Sequence, residues 1–149
     1  MPSITSANAI VMLAVPGVFS SPVPLQQFAA DDIFTNEAVQ ASEHAMGVDG
    51  YLAAGFVFAP VPWTVSLMAD SPSNDFFDQW YSANKLAVDV FRCNGTVQLP
   101  SLNKKWNMVN GTLSTYRNMP DAAKTLRSRA YVITWQSVDP ALIAAALAI

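Results

Sequence analysis

No lysine or arginine occurs before Lys85. Residues 1–84 hold eight acids (Asp31, Asp32, Glu37, Glu43, Asp49, Asp70, Asp75 and Asp78), while residues 85–149 hold all eight bases and only Asp89, Asp121 and Asp139. The halves therefore carry −8 and +5, which gives the net charge of −3. In one modest domain this division suggests faces of opposite sign. Identical subunits with such faces favour head-to-tail contact, the geometry of rings and filaments. The alternative is chance clustering that folding mixes away. Charge is also scarce, at 13% of residues against 52% hydrophobic, where soluble domains carry roughly 25%. So little charge leaves apolar surface for copies or partners to cover.

A membrane span is the other way to be this apolar, and run length argues against it. Ala9–Val15 and Ala141–Ile149 are the longest apolar stretches, far short of the roughly 20 residues a spanning helix needs. Neither reads as a signal peptide, since no base precedes the first run. Cys93 stands alone, which excludes an internal disulfide or a cysteine metal cluster and fits a reducing cytoplasm.

With no linker or repeat, the 149 residues read as one domain: an arm over 1–30, a β core over 31–138 and an apolar tail over 139–149. Ile10–Val15 reads as a strand, ended by Pro16-Gly17, and Pro22 and Pro24 keep the following chain extended. Strand-like segments follow at Asp32–Val39 and Gly50–Phe58, with turn chemistry at Gly47-Val48-Asp49-Gly50. Trp63–Met68 alternates Val65 and Leu67 against Thr64 and Ser66, the period of a half-buried strand. A helix is expected over 72–85, with Ser71 as N-cap, Pro72 at its first position and Asp75 and Asp78 early. Phe76 with Trp80 and Phe77 with Tyr81 give it a wide aromatic face.

Asn-Gly is the strongest short hairpin signal, since both turn positions need positive φ. Asn94-Gly95 is therefore expected to join Ala87–Arg92 to Thr96–Leu99, and Asn110-Gly111 to join Lys105–Val109 to Thr112–Arg117. Both sites, each followed by threonine, also match the glycosylation pattern, which has meaning only in a secreted chain. Met119–Leu126 reads as a loop or single helical turn. Arg129–Gln136 is the last strong strand, with Tyr131, Ile133 and Trp135 on one side. Six to eight strands with one helix make an α+β domain, mainly a β sandwich or small barrel with one packed α-helix.

Catalytic chemistry finds little footing. His44 is the only histidine, and with Glu43 in a polar stretch it reads as a solvated side chain before it reads as a base or zinc ligand. Cys93 has no nucleophile signature around it. Gly50 and Gly55 have phosphate-loop spacing, yet Phe56 and Val57 stand where Lys and Ser/Thr are required. Asp31 with Asp32 reads as a solvated loop, and Asp75 with Asp78 as the acidic start of a helix. Catalytic, metal and cofactor-binding residues are thus expected to be none. Lys104, Lys105, Arg127 and Arg129, with Trp106 beside the first pair, are few for gripping phosphates, and the pI of about 4.8 opposes it. They read better as inter-subunit contacts to acids of the first half.

The ordered set Ala45-Met46-Gly47-Val48-Asp49-Gly50, Val65-Ser66-Leu67 and Ser71-Pro72-Ser73-Asn74 continues as Leu99-Pro100-Ser101-Leu102 and Asn110-Gly111-Thr112-Leu113. It ends with Met119-Pro120-Asp121-Ala122-Ala123-Lys124-Thr125-Leu126 and Tyr131-Val132-Ile133-Thr134-Trp135. This succession resembles small bacteriophage tail-tube proteins, particularly of myovirus-like tails, over about residues 30–138. The resemblance implies a sandwich-like subunit with one helix, six of which form a ring whose strands close into an inter-subunit inner β-barrel. Stacked rings make a channel through which genomic DNA passes without specific binding, inside a sheath if the tail contracts. Baseplate, hub and terminator proteins are further implied partners, and the implied location is the virion tail, assembled in the bacterial host cytoplasm. Lumens of this family tend to be acidic, and Glu37, Glu43 and Asp49 are the candidates because they lie in or beside the small-residue strands of 32–58. The arm and the tail take ring-to-ring contacts on this reading. A terminator or hub homologue would share the fold. A small soluble binding module, with its apolar surface holding a ligand or host protein, is the alternative from another class.

Overall fold

The computed structural model describes residues 9–19, 21–29 and 33–142. The chain order is β1 (Ile10–Ala14), β2 (Val23–Pro24), β3 (Phe34–Asn36), β4 (Ser42–Met46), β5 (Leu52–Phe56), β6 (Val61–Leu67), α1 (Asn74–Ala87), β7 (Cys93–Leu99), β8 (Lys104–Thr115), β9 (Arg129–Trp135) and β10 (Ser137–Leu142). Eight strands form one folded-over sheet in the order β2-β1-β7-β8-β9-β6-β3, with β10 also on β8, while β4 and β5 pair only with each other. The domain is α+β and sandwich-like. The sheet does not close on itself.

Alternation builds the core where the sequence shows it. Val11 and Leu13 of β1, Trp63, Val65 and Leu67 of β6, and Tyr131, Ile133 and Trp135 of β9 are all buried, with outward residues between them, the period-2 consequence of the pleat. Phe76, Phe77 and Trp80 of α1 join that core. Phe77 stacks on Tyr131 with centroids 4.1 Å apart, and the Trp80 indole donates to the Phe91 carbonyl at 3.1 Å.

The helix begins two residues later than expected, at Asn74, and runs to Ala87. Its N-cap position is Ser73 rather than Ser71, although the Ser71 hydroxyl accepts from the Ser73 amide at 3.2 Å. The Ser71 hydroxyl donates to the Gln26 carbonyl at 2.5 Å, and the Ser73 hydroxyl accepts from the Gln26 amide at 2.8 Å, so both serines fasten the N-terminal segment. Asn74 sits beneath them. Its amide reaches the Met68 and Ala69 carbonyls, and its oxygen accepts from Tyr131 at 2.9 Å. At the far end Val88 takes a left-handed conformation, φ 51°, so Ala87–Arg92 is helix end and loop rather than strand.

Neither Asn-Gly pair is a hairpin turn. Asn94-Gly95 lies inside β7 and Asn110-Gly111 inside β8. The glycines are needed for close approach. A Cβ at Gly111 would lie 2.5 Å from the Trp135 ring, and one at Gly95 would lie 2.6 Å from Leu13 Cδ2. Between Cys93↔Gly111 and Gly95↔Met108 the register shifts by one residue, and Asn110, with φ 57°, takes up the bulge. That bend lets β8 pair with β7 and β10 through its first part and with β9 beyond Gly111. β9 and β10 follow it nearly continuously, kinked at Gln136. One long bent ribbon thus belongs to both layers.

Three strands were not anticipated. Val23–Pro24 forms the two-residue β2 in the stretch read as extended arm. Ser42–Met46 forms β4 within the stretch read as polar, and Ser137–Leu142 forms β10 across the start of the expected tail. The strand expected over 32–39 is short, Phe34–Asn36. Asp31 and Asp32, residues 1–8 of the arm and 143–149 of the tail lie outside the described residues.

Candidate assembly surface

The β4–β5 ribbon stands apart from the core. Its turn is the Gly-x-Asp-Gly segment: the Gly47 amide donates to the Tyr51 carbonyl at 2.8 Å, and the Asp49 carboxylate accepts from the Tyr51 amide at 3.1 Å. Gly50 takes φ +87°, where glycine carries no steric cost. Ala45 faces Ala53, His44 faces Ala54 and Glu43 faces Gly55 across the ladder.

Every residue from Glu43 to Phe56 is exposed, on both faces of the ribbon. Met46, Val48, Tyr51, Leu52 and Phe56 are among the exposed large apolar side chains, and Phe58, 91% exposed, follows them. Phe56 and Phe58 pack edge to face, with centroids 4.9 Å apart. A two-stranded ribbon with neither face covered is marginal in water. An apolar one is a surface that association would bury.

The three candidate acids lie on or beside this ribbon. Glu43 is on β4, Asp49 is in the turn, and Glu37 is exposed on the connection that leads from β3 to β4. The four candidate bases are not one patch. Lys104 and Lys105 open β8, opposite Leu142 and Ala141 of β10, whereas Arg127 and Arg129 lie at and before the start of β9, at the sandwich's other end. Arg127 is exposed. Arg129 corrects the expectation of a subunit contact, because it is only 5% exposed. It bonds Asp78 of α1 at 3.0 Å and the Arg117 carbonyl at 2.7 Å. The same carboxylate oxygen accepts from the Tyr116 hydroxyl, and the guanidinium lies 5.2 Å from the Tyr131 ring centroid. Burial raises the Tyr116 hydroxyl's pKa and the Asp78 hydrogen bond raises it further. Burial, the largest single influence, works against the Arg129 charge, but the Asp78 hydrogen bond together with the charges of Tyr131 and Asp78 and the Tyr116 hydroxyl outweighs it, and the pKa rises. This cluster locks α1 to β9.

The chain halves interleave, β1 pairing with β7 and β6 with β9, so the acidic and basic halves do not divide the domain into two bodies. His44 is exposed, with Nε2 2.9 Å from the Ser42 hydroxyl. Among the described residues no group of three or more His, Cys, Asp or Glu side chains could hold a metal ion. Cys93 is buried and its thiol is pushed up to about 12, by desolvation against a smaller opposing hydrogen bond from the Ala14 backbone. No described helix is long and apolar enough to cross a membrane.

Sequence reasoning missed the apolar edge of the ribbon, although a signal was present. Leu52–Phe58 contains no polar side chain, and an alternating strand with one solvated face would show some.

Solved structures of similar fold include chains of contractile injection systems. A chain in the cryo-EM structure of the anti-feeding prophage cap (AFP tube terminating cap) matches with TM-score 0.60 and 12% identity, over 95% of this chain and 93% of that one. A chain of the extracellular contractile injection system PVC, in its sheath-tube complex in the extended state, matches with TM-score 0.60 and 13% identity, over 94% and 92%. One from the 6-fold symmetrised anti-feeding prophage baseplate matches with TM-score 0.59 and 12% identity, over 96% and 98%. At such identities the likeness is one of fold. No curated protein matches the sequence. The family of tail fiber protein gp32 matches residues 2–139. The resemblance carried by residues 30–138 therefore holds at the level of tail proteins, and the chain belongs to the tail fiber protein gp32 family.

Proposed function

We propose that this chain is a structural, non-catalytic subunit of a tail tube. Its copies join sideways into rings of six through the β4–β5 ribbon, and the rings stack into a channel for genomic DNA. The observation that carries this reading is the ribbon itself, apolar at its edges and uncovered on both faces. Laid against a neighbour it would extend that neighbour's sheet, by the pairing that exposed strand edges invite, and a closed ring of such pairings is the inter-subunit β-barrel. Glu37, Glu43 and Asp49, on and beside the ribbon, would face the channel and hold phosphates off the wall by like-charge repulsion. Lys104, Lys105 and Arg127 remain available to neighbours. Sheath, baseplate and terminator proteins are the further partners on this reading, and subunits made in the host cytoplasm finish in the virion tail.

A second reading has its own support. Solved structures of similar fold include a tube terminating cap and a sheath/tube terminator, and a terminator would use the same ribbon in a single ring. Negative-stain electron microscopy of the purified protein at high concentration, with and without salt, separates the two. Stacked tubes with a central channel support the tube subunit, and single rings support the terminator. Compact particles that also fail to join tubes seeded by a baseplate would overturn both.

A further inference from the structure

The ribbon leaves the sandwich beside an apolar cavity of about 240 Å³ between the layers. Trp63, Val97 and Met108, all buried, form its floor, and the half-buried Leu99 and Trp106 stand at its mouth. Asn36 and Val61 also border it. They are the last residue of β3 and the first of β6, the two points from which the chain runs out to the ribbon and returns. The β8 side of the mouth is basic. Lys104 lies opposite Leu99, Lys105 precedes Trp106, and neither lysine is ion-paired among the described residues. The one acid on β8 and β10, Asp139, is two rungs further along the ladder, opposite Asn107. The far end of the ribbon carries the complementary surface. Val48 is fully exposed there, with Met46, Tyr51 and Leu52 exposed beside it, and Asp49 is the only charge between Ala45 and Phe58.

We propose that the apex of one copy's ribbon plugs this cavity in the next copy, with Val48 entering between the layers and Asp49 meeting Lys104 and Lys105. The assignment rests on the reading of the ribbon as the contact between copies, and it names the surface that receives it. The occupant comes from a second chain. The ladder from Ser42↔Phe56 to Met46↔Leu52 holds the apex about 17 Å from the root, at about 3.4 Å per residue. A hinge at the root therefore cannot bring the apex back onto the mouth beside it. Root and mouth share one end of the sandwich, so copies turned about a common axis and held at one height each fill the next, a head-to-tail contact that closes a ring. Size and charge agree. An apolar cavity of about 150 Å³ already takes up benzene, so this one admits the smaller isopropyl group of a valine. An acid on the plug and two unpaired lysines at the socket fix which way round the partners meet.

The experiment mixes two full-length variants, Val48→Cys and Leu99→Cys, under mild oxidation at the concentration used for microscopy, the native Cys93 being buried. Expected is a disulfide-linked dimer, well above the yield when Leu126→Cys, exposed and at the sandwich's other end, replaces Leu99→Cys. Val48→Asp should keep the wild-type melting temperature and lose the rings. Absence of the dimer, or rings from Val48→Asp equal to those of wild type, would overturn the proposal. Where wild-type rings form all the same, the ribbon reading survives that loss; where neither rings nor dimer form, both readings fall. A disulfide closing within single dilute chains that carry both cysteines would assign the cavity to the chain's own ribbon and overturn the proposal as well.

Discussion

Gly111 has no room for a methyl group. The Cβ of an alanine would meet two ring atoms of Trp135 at 2.5 and 2.7 Å and Ile133 Cγ2 at 2.9 Å, and both partners are fully buried and rigidly packed. We expect Gly111→Ala to destabilise the fold by about 1–3 kcal/mol, the range for overpacked cores, measured by urea denaturation. Cys93 yields a second expectation at this scale. Only thiolate is nucleophilic, and a thiol pushed up to about 12 within the core holds almost none at pH 8. An aromatic disulfide reagent should therefore leave the native protein unlabelled and label one thiol per chain after denaturation; rapid native labelling would contradict the burial. The Asn-Gly pairs show why a local signal misleads. The dipeptide does favour a turn, but here the glycine answers to a tryptophan 24 residues further along the chain, a requirement that exists only after folding.

Among the elements, β6, β9 and α1 were legible because each carries a complete periodic pattern, apolar at every second residue or aromatic along one helical face. β4 and β10 were not legible. Ser42–Met46 is exposed throughout or nearly so and shows no buried period, and β10 is interrupted by Pro140, whose place opposite Trp106 leaves its missing amide proton on an edge strand. The candidate site was legible only in part: the apolar ribbon was overlooked, and Arg129 was assigned to a subunit contact because, two residues from Arg127 on a strand, it would share a face with it and meet acids of a neighbour. Its partner Asp78 is 51 residues away. Asp78→Ala should cost about 1–3 kcal/mol in thermal or chemical denaturation, since it leaves a buried guanidinium with backbone carbonyls alone. The figure stays below that for a fully buried pair because the Asp78 side chain is 40% exposed. For the ribbon the expectation is reversed. Phe56→Ser with Phe58→Ser, both exposed in the single subunit, should leave the melting temperature within a few degrees while abolishing rings and tubes in the microscope.

For the whole molecule, neutral acids buried wholly or in part set the alkaline limit. Burial raises Cys93 from its ordinary 9.0 to about 12 and also raises Tyr131 and Tyr116 from their ordinary 10.0. Above pH 9 the unfolded chain releases these protons while the folded one keeps them, so the unfolded state binds fewer and stability falls as pH rises. Stability from these groups should be complete below pH 9 and decline between about 9 and 12, read as a falling denaturation midpoint. Cys93→Ala should flatten the first part of that decline. Persistence of full stability at pH 11 would contradict the burial of Cys93 and Tyr131.

The β8 strand, 12 residues long, has a mechanical consequence. In a sandwich made of two separate sheets, a force on one layer reaches the other only across packed side chains, which can slide. Here the bend at Asn110-Gly111 carries the same backbone from layer to layer, and β9 and β10 run beside it over the same corner. A pull on the β10 end is therefore delivered through covalent bonds to the strands that hold the helix. The layers cannot be sheared apart until the ladder of that one ribbon ruptures along its length, which makes the domain a stiff link in whatever chain of subunits it enters.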